Sequence, residues 1–291
     1  MGNTIGLTSK YIPMLDELYA LESKTAVLDG AYASLIKAGI DDKTIYIPDI
    51  VLSGLGDYTK DTGYSSGDVT LSWSSHQFSK DRSKSFSVDR FDNLESAGVA
   101  FGVLAGEFVR TKVVPEIDQY RITKYVDGAG TSVQSATPTS ATAFTLVDTA
   151  IETMNDAEVP EDGRVLFVSN SFYSLMKQNT DGTRFFNVQA NNATVNRNIE
   201  YFENMQVVRV PATRFTSTAT FGSSGYTQTG NTLNFMIVHK NAVINAVKNT
   251  IPKYFSPDEN QSMDSHLFQY RIYHDCFVPS NKTDGIYYCY K

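Results

Sequence analysis

The chain has 291 residues, which is enough for one large domain or two of ordinary size with a real hydrophobic core. A formal net charge of −7 argues against a nucleic-acid reader that works by neutralising phosphates, and a hydrophobic content of 41% is that of an ordinary globular protein. The two cysteines, Cys276 and Cys289, are too few for a disulfide framework, and the N-terminus lacks the pattern of a secretory signal. We therefore expect synthesis in the cytoplasm.

Residues 1–42 are predicted to form a helical, loosely tethered arm. One short amphipathic face surrounds Leu15 and Leu18, and a second begins at Leu35 and ends at Gly39. Neither segment is long enough to be a stable helix alone in water, so each needs a surface to lie on.

Residues 43–91 predict an extended β-hairpin. Ile45 and Ile47 alternate with polar residues, as do the apolar residues of Val69–Trp73, and a polar, glycine-rich stretch of about 15 residues connects the two strands. A lone hairpin is marginal in water, so its apolar residues suggest a partner surface that another chain supplies. The alternative is an ordinary surface hairpin.

The segment Phe91–Tyr125 predicts a long helix. Asp92 and Glu95 form a capping box before apolar residues that recur at three- and four-residue steps, and Pro115 is the one candidate break or kink. A continuous helix here would cover roughly 30 residues and ~45 Å.

Three glycines follow this helix at four-residue spacing, Gly98, Gly102 and Gly106. They leave a groove that a neighbouring backbone can approach, and close packing would offset their cost of about 1 kcal/mol each. Such a motif also occurs in membrane dimers. The uncharged run of residues 96–106 is far shorter than a bilayer requires, so a packed core helix is the better interpretation.

A Gly/Ser/Thr-rich stretch, Asp127–Thr142, is predicted to be a linker and the best domain boundary. A compact α+β section follows. It is predicted to contain a helix from Phe144 to Met154, strands over Arg164–Val168, Met205–Val210 and Leu233–Val238, a helix capped by Ser169 or Asn170, and a flexible insert over Ser217–Thr232.

The C-terminal part is predicted to be rich in strands. Leu267–Tyr273 has one apolar or aromatic face, a turn follows around Pro279, and Ile286–Tyr290 closes the chain as a strand.

A search for catalytic motifs finds no positive support for an enzyme. The histidines have no metal-binding spacing, and His274, Cys276 and Cys289 would form a three-ligand site only by a forced arrangement, so ordinary strand residues are the preferred interpretation. If the last two strands paired directly, the two cysteines would face each other as thiols. The adjacent acids Asp41/Asp42 and Glu116/Asp118 are interpreted as solvated surface. We therefore predict no catalytic, cofactor-binding or metal-binding residue.

Three segments carry a resemblance to a known family: Arg82–Asn93, Ala105–Lys124 and Arg271–Tyr287. Together with the order of the elements, they resemble the major capsid proteins of tailed double-stranded DNA bacteriophages, which have the Hong-Kong-97-like fold. The resemblance implies an α+β fold with an N-terminal arm, an extended β-hairpin loop, a long spine helix, a peripheral domain and an axial domain.

The resemblance also implies a division of the chain. The expected parts are residues 1–42 (N-terminal arm), 43–91 (extended loop), 92–139 (peripheral domain with spine helix), 140–250 (axial domain), 251–284 (peripheral-domain return) and 285–291 (final axial-domain strand).

The function implied is that of a structural protein which assembles into the icosahedral head around packaged double-stranded DNA. Expected partners are other copies in hexamers and pentamers, a portal, and DNA held without sequence-specific binding; no membrane is expected. An arm of this length leaves no room for a long scaffolding segment, so we expect a separate scaffolding protein. An encapsulin-like bacterial nanocompartment shell protein and a soluble α+β enzyme are the alternatives.

Seven residues are predicted to contact neighbouring subunits, namely Tyr58, Lys60, Trp73, Arg82, Arg90, Glu107 and Arg110. The arginines lie beside acids in the sequence, so ion pairs within or between subunits are expected. Exposed pairs contribute about 0–1 kcal/mol each and would set register more than strength.

Overall fold

The computed structural model describes residues 23–30, 37–38, 44–61, 63–90, 105–134, 137–178 and 198–291. The predicted arm helices around Leu15 and Leu35, the capping box of Asp92 and Glu95, and the first two glycines of the stripe lie outside these residues.

The strands are β1 Lys37–Ala38, β2 Thr44–Leu52, β3 Val69–Gln77, β4 Lys80–Asp89, β5 Thr131–Gln134, β6 Arg164–Ser169, β7 Tyr201–Phe202, β8 Met205–Val210, β9 Ala219–Gly222, β10 Gly225–Gln228, β11 Leu233–His239, β12 Ile244–Phe255, β13 Ser265–Phe277 and β14 Ile286–Tyr290. The longer helices are α1 Val114–Asp127, α2 Ala143–Asp156 and α3 Asn170–Gln178, with short helical turns at Thr25–Leu28, Ala212–Arg214, Lys240–Ala242 and Ser280–Gly285.

Two compact units make up the chain. The hairpin unit is Tyr32–Ser79, and the rest of the chain forms the main unit. In the hairpin unit, β2 and β3 pair antiparallel from Thr44 opposite Gln77 to Leu52 opposite Val69, and β1 adds two residues to β2. The predicted extended hairpin is therefore confirmed.

A three-stranded antiparallel sheet in the main unit has the order β12-β13-β4. One face of β13 carries Phe268, Tyr270 and Ile272, which pack against apolar side chains of the helix that precedes α1. This confirms the alternation predicted for Leu267–Tyr273.

The edge strand β12 has two irregular features. The pairing with β13 shifts register between Val247 and Asn249, and Pro252 lies opposite Tyr270. Proline has no N–H to donate, so it is tolerated at a sheet edge but not between two strands. Strand β12 was not predicted, because its polar residues and proline hide the alternation.

The central helix consists of helical residues 105–108, a π-helical turn at Val109–Val113 and α1. Pro115 lies just after the π-turn. A proline removes one backbone hydrogen bond and crowds the preceding turn, and a wider turn relieves both problems. The helix therefore continues through Pro115, where a break or kink was the candidate expectation.

A six-stranded sheet has the order β5-β14-β11-β6-β8-β7. On one face, Ile122 and Tyr125 of the central helix pack with Phe167 and Met236. On the other face, α2 and α3 cover a second core that includes Phe235. The first half of the central helix thus belongs to the core of the three-stranded sheet, and its second half to that of the six-stranded sheet.

The α+β section follows the prediction closely. Ser169 accepts a hydrogen bond at its Oγ from the backbone N–H of Phe172 (3.2 Å), as expected of a residue that caps α3. The strands predicted at Met205–Val210 and Ile286–Tyr290 have those bounds.

Two glycine-rich stretches are more ordered than predicted. Part of the predicted linker forms β5, which pairs parallel with β14. The predicted flexible insert forms the hairpin β9–β10 instead. The reason is a tertiary contact, because the ring of Phe221 packs edge-on against Tyr120 of the central helix at 5.4 Å.

Among the helices in the described ranges, none combines the length and the hydrophobicity that crossing a membrane requires.

Candidate functional site

The hairpin unit carries an apolar face. Trp73 lies opposite Pro48, Leu71 opposite Ile50 and Val69 opposite Leu52, so these six side chains share one side of the ribbon. Five of the six are among the exposed large hydrophobic residues, with exposed fractions between 47% and 66%. A contiguous exposed apolar surface of this kind marks an interaction site. We call this surface the apolar hairpin face.

The loop between β2 and β3 adds exposed aromatic side chains. Tyr58 and Tyr64 pack edge-on with ring centroids 5.2 Å apart, and Leu55 is fully exposed. The backbone N–H of Gly63 donates to the carbonyl of Thr59 (2.8 Å), and Gly63 has the positive φ of +76° that favours glycine. The loop thus contains a local turn that holds the two rings together.

The seven predicted contact residues divide between the units. Tyr58, Lys60 and Trp73 are exposed in the hairpin unit. In the main unit, Arg110 pairs with Glu107 at 2.9 Å on the exposed side of the central helix. Whether these residues contact another copy stays a prediction.

The other two arginines pair with acids that are distant in sequence. Arg82 lies 2.6 Å from Glu116, and Arg90 lies 3.3 Å from Asp258. Asp81, the sequence neighbour of Arg82, pairs with Arg271 across the three-stranded sheet. Alternation along a strand explains this result, since adjacent residues point to opposite faces.

A buried carboxylate, that of Asp118, lies at the middle of the central helix. It is fully buried and accepts hydrogen bonds from Ser23 Oγ (2.7 Å), Lys24 N (2.9 Å) and Thr25 Oγ1 (2.8 Å). Arg214 Nη1 lies 3.0 Å from its second oxygen. We call these five residues the buried polar junction.

The interpretation of Glu116 and Asp118 as solvated surface is therefore wrong. Asp118 is buried within the junction, and Glu116 pairs with Arg82. The helix is buried nearly all round at this point, so a charged residue here needs partners that are distant in sequence. Only the dense apolar spacing around Asp118 could have signalled this burial.

A second buried charge continues the network along the same helix. Arg121, which is 1% exposed, donates to Thr25 Oγ1 (2.9 Å) and lies 3.1 Å from Asp29. Asn245 in β12 donates to Asp29 (2.9 Å) and accepts from Tyr125 Oη (2.7 Å). The segment of residues 23–29 is thereby tied to the helix and to β12.

The three residues of the forced metal-site arrangement, His274, Cys276 and Cys289, do not come together. His274 and Cys276 are in β13, whereas Cys289 is in β14 of the six-stranded sheet, so the last two strands do not pair and the cysteines do not face each other. Burial raises the pKa of Cys276 to about 12, which keeps it a neutral thiol. No cluster of potential metal ligands occurs among the described residues.

The pKa of His274 is lowered, whereas that of Cys276 is raised. Burial lowers its pKa to about 4, with further lowering by Arg121, Lys80 and Arg82 and an opposing effect of Asp275. The ring packs edge-on against Tyr120 at 5.3 Å, and its Nδ1 has no hydrogen-bond partner among the described residues. The imidazole is therefore neutral at physiological pH.

No protein-family profile and no curated protein sequence matches the chain. Several solved structures, however, are similar to the chain. A chain of Mycobacterium phage Che8 has a TM-score of 0.63 and 17% identity, over 89% of this chain and 90% of that one. The mature capsid of bacteriophage PhiM1 has a TM-score of 0.63 and 11% identity, with coverage of 86% and 82%.

A virus-like particle from Pyrococcus furiosus is also similar, with a TM-score of 0.54, 11% identity and coverage of 94% and 95%. These likenesses extend over nearly the whole of each chain. They confirm the predicted α+β fold, which is that of Hong-Kong-97-like capsid proteins.

Proposed function

We propose that the chain is a structural protein whose copies assemble into the icosahedral head of a tailed bacteriophage, around packaged double-stranded DNA. The proposal places the protein in the virion after synthesis in the host cytoplasm. The single observation that supports it most is the apolar hairpin face, because a surface of this kind is stabilised only when another molecule covers it.

Self-association is the simplest way in which the apolar hairpin face could be covered. Identical copies present the hairpin unit and the main unit in equal numbers, and a head-to-tail contact between them generates closed rings when the rotation closes. Rings of six and five copies, the hexamers and pentamers of an icosahedral shell, satisfy this geometry.

The parts of the chain keep the roles that the resemblance implies. Residues 43–91 would be the extended loop, residues 92–139 the peripheral domain with its spine, and residues 140–250 the axial domain. A separate scaffolding protein and a portal are the other proposed partners.

The role is structural rather than catalytic. In the buried polar junction, the carboxylate of Asp118 is occupied by hydroxyl, amide and guanidinium donors. A net charge of −7 fits a wall that holds DNA without sequence-specific contacts, since phosphates repel an acidic surface.

A second candidate function uses the same fold to build a shell that encloses something other than DNA. The likeness to a virus-like particle from Pyrococcus furiosus is compatible with an encapsulin-like compartment shell, which would enclose a protein cargo instead of a genome. Such a shell needs no portal and no packaged DNA.

Electron cryomicroscopy of the assembled protein tests the proposal. The chain, expressed with the neighbouring genes of its genome, should give icosahedral particles with one portal vertex and a DNA-filled interior. Particles with twelve equivalent vertices and a protein cargo would favour the compartment. A monomer of 32.2 kDa under all conditions would contradict both shells and favour a soluble enzyme.

A further inference from the structure

Residues 23–29 lie in a groove of the main unit whose polar walls come from distant parts of the chain. Asp118 and Arg121 of the central helix, Arg214 of the turn after β8 and Asn245 of β12 form these walls. Each hydrogen bond or ion pair between the segment and the walls joins residues at least 92 positions apart. The segment is therefore held as a separate peptide would be. We call the site formed by these four residues the arm groove.

One carboxylate recognises the N-terminal half of the segment. Asp118 Oδ1 accepts hydrogen bonds from Ser23 Oγ (2.7 Å), Thr25 Oγ1 (2.8 Å) and the backbone N–H of Thr25 (3.2 Å). Its Oδ2 accepts from the backbone N–H of Lys24 (2.9 Å). A carboxylate only accepts hydrogen bonds, so it selects hydroxyl and amide donors at this point. Position 24 contributes its backbone, whereas positions 23 and 25 need a hydroxyl.

An apolar side chain and an acid are recognised in the C-terminal half. Leu28 is 1% exposed and belongs to the core between the central helix and the six-stranded sheet. Asp29 lies 3.1 Å from Arg121 Nη1 and accepts from Asn245 Nδ2 (2.9 Å). The same Arg121 Nη1 donates to Thr25 Oγ1 (2.9 Å), so this threonine is read from both halves of the groove.

These contacts define a motif, Ser-x-Thr-x-x-Leu-Asp, over residues 23–29. Each fixed position has its own partner in the groove, and the three free positions are half-buried. Pockets for alternate side chains together with bonds to the backbone are what peptide-recognition sites use to combine affinity with specificity. The arm groove therefore has the properties of a peptide-binding site.

The balance of contacts favours opening of the segment as a unit. Leu28 is its one buried apolar side chain, and its other contacts with the walls are polar. Elements with few buried apolar contacts open locally at a lower free energy than the core does. The segment is thus expected to leave the groove while the rest of the main unit stays folded.

We propose that the arm groove is a peptide-binding site for Ser-x-Thr-x-x-Leu-Asp, that residues 23–29 dock in it reversibly, and that the same segment of a second copy takes their place. Exchange of an identical element between copies needs no new surface, because every groove already fits every segment. This docking does not depend on shell formation, so it also operates between subunits in solution.

Displacement by a free peptide tests reversible docking in the full-length chain. Tryptic cleavage after Lys24 reports the open state, because Thr25 is fully buried and its backbone N–H is bonded to Asp118 in the docked segment. The competitor is the peptide of residues 23–30, acetylated and amidated, with Lys24→Gln to remove its own cleavage site. Titrated to about 1 mM, it should raise the cleavage rate at least about tenfold, as a dissociation constant of about 0.1 mM or lower requires. An unchanged rate would overturn reversible docking.

Variants of the peptide test the motif without altering the protein. Thr25→Val removes the hydroxyl that donates to Asp118 and accepts from Arg121, so it should weaken competition at least about tenfold. Leu28→Ala should weaken it as well, because it removes the apolar anchor. Lys24→Ala in place of Lys24→Gln is the control and should compete equally, since Asp118 binds only the backbone at this position. Equal competition by all versions would overturn the motif.

Full-length variants distinguish a second copy from the same chain. Asp118→Asn replaces part of the acceptor by a donor, which releases the segment of that chain whether or not its main unit folds, so cleavage after Lys24 should be fast. Thr25→Val/Asp29→Asn weakens the segment and leaves the groove intact. An excess of this second variant should slow cleavage of the first at least about fivefold, whereas an equal excess of the unaltered chain, whose groove is filled, should not. Equal rates with the two additions would overturn exchange between copies. Failure of the proposed shell function would leave these rates unaffected, since they are measured on subunits.

Discussion

Asp118 Oδ1 accepts two hydrogen bonds from Thr25, one from its Oγ1 at 2.8 Å and one from its backbone N–H at 3.2 Å. The two residues are 93 positions apart, and both are fully buried. A single carboxylate on the central helix thereby fixes a segment within the predicted N-terminal arm. Hydrogen bonds to a charged acceptor are about twice as strong as neutral ones, which makes this contact the main tether of the segment.

Substitution Asp118→Ala should lower the free energy of unfolding by about 3–5 kcal/mol, because it leaves the guanidinium of Arg214 with an uncompensated buried charge. Chemical denaturation measures the change. The matched control, Glu152→Ala on the exposed side of α2, should change the same quantity by less than about 0.5 kcal/mol. Equal effects of the two variants would mean that the junction does not stabilise the fold.

Substitution Ile50→Ser should prevent particle formation and leave the thermal stability of the subunit nearly unchanged, because the side chain is exposed on the apolar hairpin face. Val51→Ser is the control, since Val51 is equally exposed but points to the opposite side of the ribbon. Sedimentation and calorimetry give the two readouts. If both variants lost particles equally, the apolar hairpin face would not be the side of the ribbon that assembly requires.

Substitution Gly285→Ala should destabilise the chain by about 1–3 kcal/mol, because an added Cβ would lie 2.6 Å from Cβ of Ala242. The second change Ala242→Gly, made in the same chain, removes the clash and should restore part of the lost stability. Denaturation of the single and double variants measures both steps. A double variant less stable than the sum of the single changes would refute the assigned clash.

Lowering the pH should destabilise the folded chain through His274. Its folded-state pKa of about 4 lies below the ordinary value of about 6.5, so the unfolded chain takes up the proton first. The stability is complete above about pH 6.5 and is lost as the pH falls towards 4. Between pH 7.5 and pH 5 the loss should be about 2 kcal/mol, which urea denaturation can measure.

His274→Phe should reduce this pH dependence, since a phenyl ring keeps the edge contact with Tyr120 and does not titrate. His266→Gln in the same strand serves as the control and should retain the dependence. An unchanged slope in His274→Phe would assign the effect to other groups.

Cys276 and Cys289 should resist alkylation in the folded chain. Both are at most 2% exposed, and burial raises the pKa of Cys276 to about 12, whereas alkylation requires an accessible thiolate. Intact mass after iodoacetamide treatment should show no label on the folded chain and two on the unfolded chain. A label on the folded chain would contradict the burial of these residues.

Local patterns predicted most of the regular elements. Strands such as Met205–Val210 combine high strand propensity with a clear boundary, and the central helix has an apolar face dense enough to outweigh Pro115. In both cases the local sequence and the tertiary packing favour the same structure.

The elements that were missed depend on distant contacts. The glycines of Ser217–Thr232 indicate flexibility, but Phe221 binds the stretch to Tyr120, and Lys80 Nζ lies 5.2 Å from the centroid of the Phe221 ring. Asp118 looked like a surface acid because its donors, near Ser23 and at Arg214, are about a hundred residues away in opposite directions. Sequence periodicity carries no information about such partners.

The apolar hairpin face was anticipated in part. Alternation predicted the strands, and the marginal stability of a lone hairpin predicted a need for cover. The arm groove was not anticipated, since its side chains come from the central helix, the turn at Ala212–Arg214 and β12.

The irregular edge of the three-stranded sheet has a further consequence. A protein that meets its own copies at high density is exposed to amyloid-like stacking, in which one strand adds to the next without limit. The missing N–H of Pro252 and the offset near Lys248 deny an incoming strand a regular ladder at β12. In the proposed shell, recognition between copies would therefore depend on side chains rather than on strand addition at this edge.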